Sequence, residues 1–125
     1  NVLSLDALLR SDPMAGTRAL IARMQAAVDG VTLAELKALG GRAIAAVEKA
    51  RAWLSETREP VLLQAAARRF AMTLGRSFQL ALLIEHAQWQ LDHANDRTGV
   101  AAAKRFARTP FDQLDEAQLR DELML

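Results

Sequence analysis

Glu85, His86, Asp92 and His93 have the side-chain types that bind metal ions or move protons, and they fall as two carboxylate–imidazole pairs seven residues apart. On a helix, seven residues are two turns, about 10.5 Å of rise, which is too far for both imidazoles to hold one ion. A dinuclear site in a helical bundle would need a Glu-x-x-His pair on each of two helices, and the chain contains none. These residues therefore read as the polar surface of a helix, or as an interface. There is no cysteine, which removes disulfides, thiolate nucleophiles and sulfur-ligated zinc. Gly75 and Gly99 are isolated, and no phosphate-cradling loop, nucleophile elbow or base–nucleophile pairing is present. No catalytic, cofactor-binding or metal-binding residue is expected within these 125 residues.

The one basic cluster is Arg97, Lys104, Arg105 and Arg108. If the helix carrying them extends back to Arg97, then Arg97, Lys104 and Arg108 share a stripe that could grip phosphates. The alternative is a solvated helix paired with the acidic tail, in which Asp112, Asp115, Glu116, Asp121 and Glu122 stand against Arg120 alone. Phe106 is the only aromatic in the cluster, too little stacking surface for single strands. Trp53 and Trp89 read as core or interface fillers, and Phe70, Met72 and Phe78 as core.

These residues are positioned by what reads as an all-α chain: an antiparallel helical bundle with a long central helix over 60–94 and shorter flanking helices. Apolar residues make up 51% of the chain, with few aromatics, a composition of helix packed on helix. The run Leu80-Ala81-Leu82-Leu83-Ile84 has no polar residue on any side, so the central helix must have neighbours around it. Asn1 to Arg10 reads as a helical end, stopped by Ser11-Asp12-Pro13. Asp12 and Pro13 start a helix that runs to Asp29, with Gly30 as a left-handed C-terminal cap. Thr32 and Glu35 have the spacing of a capping box that opens the next helix. There, Leu36, Gly40, Ala43, Val47, Ala50 and Leu54 alternate steps of four and three, a narrow packing seam. A short connection at 56–59 makes this helix and the one from Pro60 a hairpin. Folding it sets Gly40 and Gly41 opposite Leu74 and Gly75, and Glu48 near Arg68 and Arg69. After a turn at Asn95–Gly99, a basic helix spans Val100 to Arg108. Thr109-Pro110 restarts an acidic helix from Phe111, expected to dock loosely or fray.

One domain covers 1–125, and the opening apolar pattern without a starting methionine reads as a piece of a longer polypeptide. No stretch is long and apolar enough to span a membrane. The lack of cysteine fits a reducing compartment, with the cytoplasm as the expected location.

The opening Asn1-Val2-Leu3-Ser4-Leu5-Asp6, followed by Ala7-Leu8-Leu9-Arg10, resembles the segment after the aromatic-Glu-Gly-Thr stretch of acyl-CoA dehydrogenase-type flavoproteins. Its nearest likeness is the long subfamily related to the DNA-alkylation-response enzymes. The region from Ala67-Arg68-Arg69-Phe70-Ala71 to Leu83-Ile84-Glu85-His86-Ala87 resembles the long helix of that subfamily's extra C-terminal domain. The resemblance implies a parent that binds FAD and oxidises the α,β bond of an acyl-CoA, with a glutamate base upstream of Asn1. No flavin-binding or catalytic residue of the family maps onto this chain. It also implies that the domain packs on the rest of its parent and serves a homo-oligomer. Nucleic-acid binding through Arg97, Lys104, Arg105 and Arg108 is the alternative, from the alkylation-response branch. A related branch places its extra domain at membranes.

Overall fold

The computed structural model describes residues 12–124, which form five helices and, among those residues, no strand. They are α1 (Pro13–Asp29), α2 (Ala34–Glu56), α3 (Pro60–Ala94), α4 (Thr98–Arg108) and α5 (Glu116–Leu123). The helical end expected at Asn1 to Arg10 lies outside the described residues. The bundle is all-α, and its central helix has the bounds that the proline at 60 and the turn at 95 dictate.

Helix α1 begins where an N-cap is available, with the Asp12 carboxylate accepting from the Ala15 N–H at 3.2 Å. It buries Leu20, Met24, Ala27 and Val28. Gly30 closes it without entering the left-handed region, at φ −81°. The expected left-handed cap is therefore absent. The Val31 N–H reaches the Val28 carbonyl at 3.0 Å, and the chain turns inward to bury Val31.

Helices α2 and α3 are joined by three residues, so they run antiparallel, and α1 packs across both. The seam of α2 is as its spacing predicts: Leu36, Gly40, Ala43, Val47 and Ala50 are buried, with Leu54 half-buried. The partner of Gly40 is different from the expected one. A Cβ at Gly40 would lie 2.6 Å from Cγ2 of Val28 on α1, whereas a Cβ at Gly41 or Gly75 would meet nothing within 4 Å. The glycine permits α1, not α3, to approach, and the small-on-small contact with Gly75 is not formed. Nor is the Glu48 ion pair: Arg69 pairs with Glu122 instead.

Helix α3 buries Leu62, Ala66, Thr73, Leu74, Ser77, Leu80, Ala81, Ile84, Ala87 and Gln88. Phe70 and Phe78 pack half-buried against that core, and Met72 is half-buried. Its last turn closes on Asn95, in the left-handed conformation at φ 48°. The Asn95 N–H reaches the Leu91 carbonyl and the Asp96 N–H the Gln90 carbonyl, both at 3.2 Å. This double closure is what asparagine tolerates and a β-branched residue would not. Asp96 then takes the Thr98 N–H at 2.8 Å and the Thr98 hydroxyl at 2.6 Å, opening α4. Gly99 lets α4 approach closely, since a Cβ there would lie 2.9 Å from Cα of Ala87.

The acidic helix starts at Glu116 rather than at Phe111. Residues 109–115 cross the α2–α3 hairpin without helical structure, burying Phe111 and Leu114, and the Gln113 N–H donates to the Thr73 hydroxyl at 2.9 Å. Asp115 then caps α5, accepting from Gln118 N–H. With Leu119 only 1% exposed, the segment is docked on a continuous apolar strip rather than loosely held.

The two glycine environments give opposite expectations. Gly40→Ala should cost about 1–3 kcal/mol through overpacking against Val28, while Gly41→Ala and Gly75→Ala should each stabilise by about 0.5–1 kcal/mol. Denaturant unfolding of the three variants checks the order.

Candidate functional site

The carboxylate–imidazole pairs lie on the one side of α3 that the other described helices leave open. Here Trp89 is 54% exposed. The His86 and His93 rings stack on either side of it along the helix, with centroids 6.0 and 4.6 Å from the indole and planes inclined by 10° and 19°. His93 Nδ1 lies 2.9 Å from the Trp89 carbonyl. A shallow depression of about 430 Å³ is lined by Glu85, His86 and Trp89. Among the described residues no group of three or more His, Asp or Glu side chains could hold a metal ion.

The neighbouring carboxylates are already engaged. Glu85 accepts two hydrogen bonds from the Arg23 guanidinium of α1, at 3.0 and 3.2 Å, and this pairing holds the Arg23 pKa above its ordinary value. Asp92 accepts from the Gln88 carboxamide at 2.9 Å. Gln88 is the polar residue that sequence reasoning missed. Only 6% exposed, it turns its oxygen toward the start of α2 and accepts from the N–H groups of Thr32 and Leu33, both at 3.1 Å. The expected Thr32–Glu35 capping box does not form: the N-cap position is Leu33, without a side-chain cap. A carboxamide 55 residues away does that work instead. Its signal in the sequence is a lone amide in the apolar register of Leu80, Ile84 and Leu91.

The basic cluster is divided between two environments. Arg97 and Lys104 converge on Glu35, released from the capping box; Arg97 Nη2 stands 3.9 Å from it and Lys104 forms an ion pair. The Lys104 hydrogen bond, reinforced by its charge and that of Arg97, holds the Glu35 carboxyl below its usual range. Arg105 and Arg108 are exposed and make no ion pair among the described residues. The four cations therefore do not form one open stripe. The acidic tail pairs elsewhere: Asp112 with Lys49 at 3.0 Å, Glu122 with Arg69, Arg120 with Glu59 at 2.7 Å, and Glu116 accepts from the Trp53 indole at 3.2 Å. Trp53 is thus half-buried beneath the tail, while Trp89 faces outward. A groove of about 620 Å³ between α3 and the tail is lined by Arg68, Arg69, Asp112 and Asp115 among others, a mixture of opposite charges. No helix among the described residues is long and apolar enough to cross a membrane.

A family model described as Acyl-CoA dehydrogenase 11 C-terminal domain-like matches residues 18–123. No curated protein and no solved structure gives a significant match.

Gln88→Ala leaves two amide N–H groups without their acceptor, and is expected to cost about 2–4 kcal/mol in denaturant unfolding. Asp96 gives a pH dependence. The Thr98 hydroxyl and N–H depress its pKa, so its contribution is present above the ordinary aspartate range and is lost as pH falls through the depressed value. Asp96→Ala should lower the melting temperature at neutral pH, with the gap from the unsubstituted protein closing in acid.

Proposed function

The chain belongs to the Acyl-CoA dehydrogenase 11 C-terminal domain-like family, and on that basis we propose that it is the helical packing and assembly domain of a longer FAD-dependent acyl-CoA dehydrogenase. In this reading the parent oxidises an acyl-CoA at the α,β position, using a flavin and a glutamate base carried by the rest of its chain. The domain contributes shape: the described residues form five helices on one core, presenting an outward aromatic ridge on α3. The observation that carries the reading is the reach of the family match, from residue 18 in α1 to residue 123 at the end of α5, which takes in nearly the whole bundle.

For the nucleic-acid alternative, of the four cations of the basic cluster only Arg105 and Arg108 are left without an ion partner among the described residues, because Arg97 and Lys104 share Glu35. Phosphate binding of useful strength draws on several cations acting together, so the assembly reading is the better supported. The proposed compartment is the cytoplasm, in keeping with a chain that has no cysteine to oxidise.

The test is made on the full-length parent. The absorbance spectrum should show bound flavin, and reduction by acyl-CoA should bleach it. Removing residues 18–123 should lower the subunit number in sedimentation, while His86→Ala and His93→Ala leave turnover unchanged. A parent without flavin, or one that loses turnover with either imidazole, overturns the proposal.

A further inference from the structure

The open ridge of α3 has a charge pattern that matches itself. At 100° per residue, Glu85 and Asp92 fall about 40–60° to one side of Trp89, and His86 and His93 about 40–60° to the other. Helix α1 borders the acidic flank through the Arg23–Glu85 pair, and α4 borders the imidazole side through the contact of Gly99 with Gln90 and Ala87. Between them Leu82, His86, Trp89 and His93 form a strip that α1 and α4 leave partly or wholly uncovered.

Two copies of such a strip can meet with their helices parallel or antiparallel, and the charges distinguish the two. A two-fold axis along α3 sets each flank against the opposite flank. Glu85 then meets the partner's His86, Asp92 meets the partner's His93, and Trp89 meets the partner's Trp89. An axis across α3 sets like against like, with Glu85 facing the partner's Asp92 and imidazole facing imidazole. We propose that the Trp89 ridge is a self-complementary interface for a second copy of the chain, with the α3 helices parallel about a two-fold axis. An isologous contact of this kind uses one patch twice, and an exposed tryptophan at its centre is the residue type that anchors protein interfaces.

The carboxylates are held before the partner arrives. Arg23 fixes Glu85 from α1, and Gln88 fixes Asp92 from within α3, which reduces the ordering cost of association. The imidazoles face Glu85 and Asp92 and, through Glu85, the Arg23 charge. His93 Nδ1 is engaged by the Trp89 carbonyl, so its Nε2 donates to the partner's Asp92 only as imidazolium.

The inference deepens the assembly reading by naming the partner and the surface. The experiment is disulfide trapping in the full-length protein. Leu82→Cys lies about 20° from the Trp89 line, close to the axis, keeps the tryptophan in place, and should give a covalent dimer under mild oxidation about tenfold or more faster than Val61→Cys, because the contact raises the effective thiol concentration; Val61 is exposed, at 54%. In the Leu82→Cys background, His93→Glu places like charges opposite Asp92 and should slow trapping about tenfold, and adding Asp92→Lys should restore it. Trapping no faster than at Val61 overturns the interface. So does a thiol at position 82 that is shielded from a soluble maleimide without trapping, which would mean that another part of the same chain covers the ridge. Faster trapping with His93→Glu alone overturns the parallel arrangement. The flavin spectrum is read separately, so a flavin-containing protein that fails to trap loses only this interface.

Discussion

The middle of α3 constrains everything around it. Leu80, Ala81 and Ile84 are wholly buried and Ala87 follows them, so three separate helices must lie against this one stretch. The α2 hairpin supplies one wall, α1 a second and α4 a third. Two of those walls arrive only because side chains are missing at the contact: α1 closes on Gly40 and α4 closes with Gly99 against Ala87. Helices that pack this closely crowd their connecting loops, and the α1–α2 loop then needs partners for its N–H groups. Gln88, one turn beyond Ile84 in the same buried register, supplies them. The amide thus belongs to the packing problem and is its polar solution.

The tail shows which forces hold a segment in place. Asp112, Glu116, Arg120 and Glu122 all find partners on α2, α3 or their junction, yet these side chains are substantially exposed. Exposed pairs contribute about 0–1 kcal/mol each. Burying Phe111, Leu114 and Leu119 contributes about 1.5–3 kcal/mol apiece, so apolar contact decides that the segment docks and the charges decide its register. The Gln113 N–H on Thr73 adds a further constraint, tying the chain to α3 ahead of the acidic helix. This is why the acidic helix begins at Glu116 and not at Phe111.

Local signals in the sequence were reliable where the cause was local. Asp12 and Pro13 fix the start of α1, Pro60 that of α3, and the Asn95 turn its end. The α2 seam could be read from spacing alone. What could not be read depends on residues far apart in the chain. The capping box pattern at Thr32 and Glu35 lost to Gln88, because a rigid buried amide reaches both loop N–H groups at once. Glu35 then became free to draw Arg97 and Lys104 together. The hairpin register explained neither Gly40 nor Arg69, since α1 and the tail, not the facing strip of α3, took those places.

The same displacement governs how the surface divides between structure and recognition. A charge that already has an intramolecular partner must give that partner up, or share it, before it serves a ligand. Lys104 and Arg97 are in that position, as is each carboxylate beside the α3 ridge. The carboxylates differ in what their partners do: Arg23 and Gln88 anchor Glu85 and Asp92 in fixed positions without covering them, since Glu85 keeps 44% of its side-chain exposure and Asp92 remains exposed. Each accepts fewer hydrogen bonds than its two oxygens can take. An apolar indole between two imidazoles, bordered by carboxylates that are oriented and open, is therefore a surface prepared for contact. The basic helix, paired with Glu35 through Lys104, is better suited to holding α2 and α4 together.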